Sequence, residues 1–480
     1  MDNPKIKFFG GVGSTTGANI MLEFNQRKIL IDCGLLQGTK QSEEKNFEPF
    51  EYNPAGASFL LITHAHLDHI GKVPKLVREG FGGKIISTKE TLELAKPVLE
   101  DAISVMKAKH PGKILFDEND LEKALSLWQG FDYGEKIELF SGCNMEMQNA
   151  GHILGSAIIN VFCGDKKISF TGDLGNSPSP LLPDAEFIKN ADYVVMESVY
   201  GDRNHESREE GRRKLKEGIL DGIKKDGTII IPTFSIEKTQ VLLYEINNMI
   251  EEKETTRLTG GQAQIPVFLD SPLAIKVTDI YKKYEKDFKK SVKDEIKKGD
   301  DIFDFPGLNI VRTAEESAQI EKTKGAKIIL AGSGMSEGGR VVNHEMNYLP
   351  DPNAIIILVG YQAIGTLGRL LEDGAKEIAS LLTPPRRGGE PEKDNFSASN
   401  EKKIKVSAQI KTIKGYSSHM DSEHLVEFVE KANEINSVHK LKRVFVIMGE
   451  PKSSLFLCQR LRDYLDVNAI YPEESREYEL

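Results

Sequence analysis

The segment from His64 to His69 constrains this chain more than any other feature of its sequence. It places three histidines and one aspartate within six residues, spaced His-x-His-x-Asp-His, directly after the apolar run 59–62. A strand that ends in such a cluster aims several side chains at one point, and imidazole and carboxylate are the ligands that zinc takes in hydrolytic sites. The segment therefore predicts a metal site at the end of a buried strand.

Composition narrows the class of protein. The chain has 480 residues and a formal net charge of −10, which favours two or more domains and argues against non-specific binding of nucleic acid over the whole surface. A locally basic groove stays open. Its four cysteines are far apart and form no Cys-x-x-Cys pair, which predicts no disulfide framework and favours a reducing cytosol. We read no signal peptide and no apolar run of about 20 residues, so we expect a cytoplasmic protein with no membrane partner.

Strand-like runs alternate with helical patterns along the chain. Before Ser207 the runs are short and separated by glycine-rich turns, which predicts an α/β build. After Ser207, amphipathic helices alternate with strands, which favours a parallel sheet with crossover helices. The segment 384–400 is rich in Pro, Gly, Arg, Glu and Ser, and it predicts an exposed loop or linker.

Three carboxylates stand at the ends of apolar strand-like runs: Asp32, Asp173 and Glu197. Open α/β folds place their sites at this end of the strands. One such acid alone more often caps a helix or turn, but three of them together with the histidine segment predict a site. His152 lies between two glycines nearby in the sequence, and these let the backbone come close to another group.

The grouping that makes physical sense is a pair of metal ions. Two ions a few Å apart share a hydroxide of lowered pKa and stabilise both the attacking and the leaving oxygen. The predicted ligands are His64, His66 and His152 for the first ion, Asp68 and His69 for the second, and Asp173 as the bridge between them.

These residues, together with Asp32, resemble the signature of the metallo-β-lactamase superfamily. Motifs in the rest of the chain resemble those of its β-CASP subfamily, which contains RNA-processing endonucleases, 5′-exonucleases and DNA-repair nucleases. The motifs are Glu197–Arg203, Ile231–Ser235, Gly332–Arg340, Gly360–Arg369 and Gly415–Asp421. The resemblance implies an α/β fold, a metallo-β-lactamase αββα sandwich with an inserted β-CASP domain built on a parallel sheet. The expected domains are 1–205 and 386–480 for the sandwich and 206–385 for the insert.

The resemblance also implies roles for individual residues. Asp68, Glu197 and His419 are the expected catalytic residues: His419 protonates the leaving oxygen or contacts the scissile phosphate, and Glu197 orients it. Asp32 is expected to hold the metal ligands in place without binding the metal itself. The glycine-rich segment after Gly332 offers backbone N–H groups and an arginine to a phosphate. The substrate-binding residues predicted there are Ser333, Gly334, Met335 and Arg340.

One position departs from the pattern of the RNA-cleaving members. There a His-Gly-Glu triplet supplies a ligand to the second metal, but this chain has Met448-Gly449-Glu450. A thioether is a soft, weak ligand for a Zn²⁺ that otherwise binds oxygen and nitrogen. We therefore expect one tight Zn²⁺ site and a second, weaker one.

The expected function is a zinc-dependent ribonuclease that acts on single-stranded RNA by metal-hydroxide attack, as an endonuclease or a 5′-exonuclease. A homodimer is an alternative to a monomer that the sequence leaves open. Three alternatives remain at this stage. Met448 allows a catalytically weakened RNA-binding or scaffold paralogue, and it also allows a DNA nuclease. A small-molecule hydrolase shares the histidine motif, but an insert of this size with phosphate-binding loops suits a polymer.

Overall fold

The computed structural model describes residues 3–251, 265–363, 365–379, 403–434 and 441–480. Its contacts divide the chain into two compact units. The first comprises Met1–His205, Ile280–Lys293 and Ser418–Leu480, and the second comprises Glu206–Asp279 and Asp294–Ser417. The predicted linker 384–400 lies outside the described residues. Among the helices of the described ranges, none has the length and apolar character needed to cross a bilayer.

The described ranges contain both strands and helices, with consecutive strands in the first unit and more regular alternation in the second. The strands are β1 (Lys5–Gly10), β2 (Asn19–Phe24), β3 (Arg27–Ile31), β4 (Ala57–Leu61), β5 (Lys84–Thr88), β6 (Trp128–Phe131), β7 (Ile137–Phe140), β8 (Cys143–Asn149), β9 (Ala157–Cys163), β10 (Lys166–Phe170), β11 (Tyr193–Met196), β12 (Thr228–Pro232), β13 (Val267–Asp270), β14 (Leu308–Ile310), β15 (Lys327–Ala331), β16 (Ile355–Val359), β17 (Glu377–Ala379), β18 (Lys403–Lys405), β19 (Gln409–Ile413), β20 (Arg443–Val446), β21 (Ala469–Ile470) and β22 (Glu477–Glu479). The α-helices are α1 (Lys40–Lys45), α2 (Leu67–Ile70), α3 (Val73–Arg78), α4 (Lys89–Lys109), α5 (Glu118–Leu127), α6 (Arg208–Lys224), α7 (Lys238–Glu251), α8 (Pro272–Lys283), α9 (Lys290–Lys297), α10 (Ala314–Gln319), α11 (Gly339–Tyr348), α12 (Leu367–Glu372), α13 (Ser422–Glu434) and α14 (Pro451–Leu465).

Two seven-stranded sheets form the first unit. Their strand orders are β22-β1-β2-β3-β4-β5-β6 and β21-β20-β11-β10-β9-β8-β7. Alternate residues of each strand point to opposite faces. In β20, Phe445 therefore joins the core that both sheets share, while Val444 and Val446 pack with helices α13 and α14 on the other face. Helices α4 and α5 contact β5 of the first sheet. The result is the predicted sandwich of two sheets between helices.

Parallel pairing explains why the chemistry gathers at one edge of each sheet. Strand β3 pairs in parallel with β4, and β11 pairs in parallel with both β10 and β20. Parallel neighbours end at the same edge of a sheet. The residues that follow these strands therefore lie side by side, and they include Asp32, His64, Asp173, Glu197 and Met448.

The second unit is built on one fully parallel sheet with the order β14-β13-β15-β12-β16-β19. Helix α11 packs on this sheet over Ile329 and Ile356, and α6 contacts it at β16 and β19. The expected end of the insert at 385 differs from the observed division. Strand β19 pairs with β16, so the second unit extends to Ser417.

Candidate metal centre

Four predicted ligands converge on one point in the first unit. His66 Nδ1 lies 3.1 Å from Nε2 of His64 and 3.1 Å from Nε2 of His152. Asp173 Oδ2 lies 3.5 Å from Nε2 of His64 and 3.6 Å from Nε2 of His152. One ligand atom from each of the four residues lies within 4.8 Å of all the others. Three imidazoles and one carboxylate at this spacing can surround a single cation.

A second group shares Asp173 with the first. His69 Nε2 lies 3.4 Å from Asp173 Oδ1 and 3.7 Å from Asp68 Oδ2. These three residues also offer ligand atoms within 4.8 Å of one another. Asp173 thus directs one carboxylate oxygen at each group, which is the arrangement of a bridging ligand.

Two glycines permit the loops that carry these ligands to touch. A Cβ on Gly175, two residues after Asp173, would overlap the carbonyl oxygen of Gly151, next to His152. A Cβ on Gly34, two residues after Asp32, would overlap the carbonyl oxygen of Asp68. Any larger residue at either position would push the strand ends apart and separate the ligands.

Hydrogen bonds to the ring nitrogens that face away from the ligand groups fix the orientation of two imidazoles. His69 donates from Nδ1 to Asp32 Oδ2 at 2.7 Å, and His152 donates from Nδ1 to the carbonyl oxygen of Ser418 at 3.0 Å. Each bond turns Nε2 towards the ligand group. Thr63 anchors Asp32 in turn, through its N–H and its hydroxyl, both at 2.8 Å. Thr63 is not among the predicted site residues, although its place between β4 and His64 is a usable signal.

Burial and charge set the protonation of the ligands. Burial holds the pKa of His64 and His152 well below the usual value, so both imidazoles are neutral, which is the form that binds metals. Burial also lowers the pKa of His69, but the carboxylates of Asp173, Asp32 and Asp68 outweigh it and raise that pKa well above normal. A divalent cation would take over the charge balance of this acidic group.

Orphaned atoms test whether the residues fit a cation. His69 Nε2 and Asp173 Oδ1 are buried and lie 3.4 Å apart as an ion pair, but neither makes a hydrogen bond among the described residues. A buried polar atom without a partner is costly, and both atoms point into the second ligand group. The nitrogen and oxygen donors, the neutral imidazoles and these two atoms all fit a metal ion. The site therefore has the character of a metal centre.

Glu197 and His419 form a third cluster next to the ligands. His419 Nδ1 lies 3.2 Å from both carboxylate oxygens of Glu197 and 3.8 Å from Asp173 Oδ2. Glu197 is held by the N–H of Leu174 at 2.7 Å. Burial lowers the pKa of His419, but these carboxylates outweigh it and raise the pKa to about 9. His419 is thus a positioned, protonated imidazole beside the candidate metal centre.

Met448 lies beyond the end of β20 with a left-handed backbone (φ 48°). Its N–H donates to the carbonyl oxygen of Gly11 at 2.6 Å, and its side chain is buried in the core between the sheets. Together with His69 and Glu197 it lines a cavity of about 10 Å³, which is room for about one water molecule. Residue 448 therefore lies beside the second ligand group.

The predicted substrate-binding residues lie in the second unit. Arg340 is committed to internal partners: its guanidinium donates to Asp270 at 2.6 Å, to Val311 O at 3.0 Å and to Arg312 O at 2.8 Å. The carbonyl oxygens of Gly334 and Met335 also accept internal hydrogen bonds, from Gln362 Nε2 and the N–H of Gly368. Ser333 Oγ accepts from the N–H of Glu337. Internal bonds thus hold the loop 333–335, while the Arg340 side chain is used in bonds to residues 270, 311 and 312.

Comparison with known families identifies three domains. The metallo-β-lactamase superfamily matches residues 16–220, the Beta-Casp domain matches 239–371, and the Zn-dependent metallo-hydrolase RNA specificity domain matches 403–472. The order of these matches along the chain reproduces the predicted sandwich with an insert.

Relatives with curated names extend over nearly the whole chain. Ribonuclease TTHA0252 of Thermus thermophilus is 32% identical over 92% of this chain and 94% of its own length. The RNase J-like protein of Methanocaldococcus jannaschii is 29% identical, with 97% of both chains covered. Transcription termination factor FttA of Pyrococcus horikoshii is 29% identical over 98% of this chain and 70% of its own length.

A solved structure supports the fold alone. It is a protein of unknown function from Enterococcus faecalis, 12% identical, with a TM-score of 0.53 and both chains covered in full. The domain matches, the full-length relatives and the converging histidines and aspartates agree with one another. This chain is a metal-dependent hydrolase that belongs to the β-CASP branch of the metallo-β-lactamase superfamily.

Proposed function

We propose that this chain is a zinc-dependent phosphodiesterase that cleaves single-stranded RNA. The observation that carries the proposal is the shared position of Asp173, which belongs to both ligand groups and to the Glu197–His419 cluster. Hydrolysis of a phosphodiester needs positive charge and a proton donor at one phosphate, and this arrangement can supply both. The relatives named as ribonucleases and the matched RNA specificity domain support RNA as the substrate.

The donor sets favour zinc at two unequal sites. Three imidazoles and a carboxylate form a set that zinc takes readily, so the first group is the proposed tight site. The second group has one imidazole and two carboxylates, with Met448 beside it, so it is the proposed weaker site. When bound, the ions supply a water of lowered pKa and positive charge opposite the phosphate oxygens.

The protein's own residues supply the remaining steps. The Glu197 carboxylate holds Nδ1 of His419 at 3.2 Å, so the other ring nitrogen becomes the proton donor to the leaving oxygen. Asp68 is part-exposed, and its carboxylate orients the attacking water. Backbone N–H groups of Ser333, Gly334 and Met335 bind a phosphate of the strand, and Arg340 is held by Asp270 next to this segment in the sequence.

Met448 favours a second candidate function, an RNA-binding protein without turnover. A matched pair of labelled RNA and DNA strands separates the candidates when each is incubated with chelated protein and with protein refilled with Zn²⁺ or Mn²⁺. We expect cleavage of the RNA strand only, lost on chelation and restored by metal. RNA that is bound but uncut with every metal would favour the second candidate, and preferred cleavage of the DNA strand would reassign the substrate.

A further inference from the structure

Two buried cysteines face each other across strands β8 and β9. Cys143 and Cys163 are register partners in this antiparallel pair, and their Sγ atoms lie 3.0 Å apart. Both are free thiols, with exposed fractions of 0% and 1%. Directly opposed residues of an antiparallel pair have Cα atoms about 4.5–5.5 Å apart, which falls within the range of about 4.4–6.8 Å that a disulfide spans.

We propose that Cys143 and Cys163 form an oxidation site that converts into an intramolecular disulfide, with hydrogen peroxide as the oxidant. Peroxide first oxidises one thiol to a sulfenic acid and releases one water. The second thiol then attacks the sulfenic sulfur, the S–O bond breaks, the S–S bond forms and a second water leaves. The two thiols together lose two electrons and two protons, and the peroxide takes up both.

The position of the pair at the end of the strand ladder explains how an oxidant reaches it. Cys143 follows Gly142 and Cys163 precedes Gly164; both glycines are exposed turn residues, and Gly164 N–H donates to Gly142 O at 3.0 Å. Both side chains belong to the core that the two sheets share, but they lie at its edge next to these exposed turns. A local opening of the turns is therefore the route by which an oxidant reaches them. The hydrogen bond that the Cys163 thiol donates to Cys143, together with burial, raises the pKa of Cys163, so the closed state reacts slowly.

The cross-link would close a ring around a ligand loop. The β8–β9 ladder runs from Cys143 opposite Cys163 to Asn149 opposite Ala157, and the loop that it closes contains His152. A disulfide at the open end would therefore prevent the hairpin from unzipping. The other two cysteines, Cys33 and Cys458, are also buried and provide matched controls.

The test uses the purified full-length chain, reduced and then exposed to graded hydrogen peroxide. Samples are denatured and alkylated, the adducts are counted by intact mass, and a digest identifies linked peptides. We expect the four alkylated cysteines of the reduced chain to fall to two, with a peptide that links residues 143 and 163. Oxidation should also raise the thermal midpoint by several degrees, because the bond constrains the unfolded chain.

Variants separate this pair from the remaining thiols. Cys458→Ala should keep both the linked peptide and the rise in midpoint, whereas Cys143→Ala and Cys163→Ala should each lose both. Four alkylated cysteines at every peroxide concentration would overturn the proposal. So would a linked peptide that joins any other cysteines, or oxidation of the pair to sulfinic acids without a link.

Discussion

The two ligand groups share Asp173 but differ in how completely they are built. The first combines three imidazoles with that carboxylate, and its His64 and His152 are buried and neutral. The second has a single imidazole, His69, whose orientation depends on Asp32. The two groups therefore offer unequal donor sets although they share Asp173. Because zinc binds well to neutral imidazoles, we expect the first group to be the tighter site.

Packing explains how the second group accommodates Met448. The side chain fills core space beside Gly11, where an added Cβ would lie 2.7 Å from its sulfur. A flexible thioether adapts to such a space at little cost. Met448 therefore packs well in the core, but it gives the second ligand group no nitrogen donor where a histidine would provide one.

Removing the Asp173 carboxylate should disrupt both ligand groups, because each of them depends on it. We expect Asp173→Ala to abolish RNA cleavage and to lower bound zinc at both sites, with a larger effect than any other single change. Metal content by elemental analysis and cleavage of labelled RNA measure this. Asp173→Asn, which keeps the size of the side chain, is the control for folding. Zinc retained at either site in both variants would contradict the bridging role.

His419 should contribute to the chemical step of cleavage and not to metal binding. We expect His419→Ala to reduce the turnover rate by about 100- to 10,000-fold, as loss of a general acid does, with unchanged zinc content. Glu197→Gln keeps the hydrogen-bonding shape but removes the charge, and it should give a smaller loss. A fall in zinc content equal to that of Asp173→Ala would instead assign His419 as a ligand.

Asp32 should affect only the second group. Because it orients His69 through one hydrogen bond, we expect Asp32→Asn to weaken the second zinc by about 10–100-fold and to leave the first unchanged. A competition titration with a zinc chelator resolves the two affinities. Equal weakening at both sites would mean that Asp32 supports the fold and not one particular ligand.

Met448→His should make the donor sets of the two ligand groups more alike. Residue 448 lies beside His69 and Glu197, so an imidazole there adds a nitrogen donor to the second group. We expect tighter binding of the second zinc by about 10-fold, the lower end of such effects. Met448→Leu is the matched control, since it keeps the volume without a donor. An affinity unchanged by histidine would remove residue 448 from the second site.

Local patterns predicted much of the fold. The sequence predicts a helix over 73–78 and a strand over 157–163 from their amphipathic and apolar runs, and α3 and β9 have these bounds. Strands β7 and β8 are not predicted, because their apolar residues alternate with polar ones such as Glu138 and Glu146. This pattern resembles that of a loop. The sequence pattern predicts one strand over 403–413, but the structure has two: β18 pairs with β17, and β19 joins the parallel sheet of the second unit. Pairing partners distant in sequence decided that split.

The candidate site, like the fold, is only partly predictable from the sequence. The side chains at strand ends converge as their positions suggested, because parallel pairing sets where they lie. The environment of Arg340 could not be read from the sequence, since its partner Asp270 lies 70 residues away and is buried. The sequence also did not reveal that Cys143 and Cys163 are register partners.

Cleavage of a 5′-labelled single-stranded RNA by the unchanged protein and by His66→Ala is the decisive measurement for metal-dependent ribonuclease activity. His66 Nδ1 lies between the Nε2 atoms of His64 and His152, so its loss should empty the tight site. The account predicts cleavage that requires Zn²⁺ or Mn²⁺ and is absent in the variant, and the product ladder separates endonuclease from exonuclease. Equal cleavage by both proteins, or no cleavage by either with any metal, would contradict it.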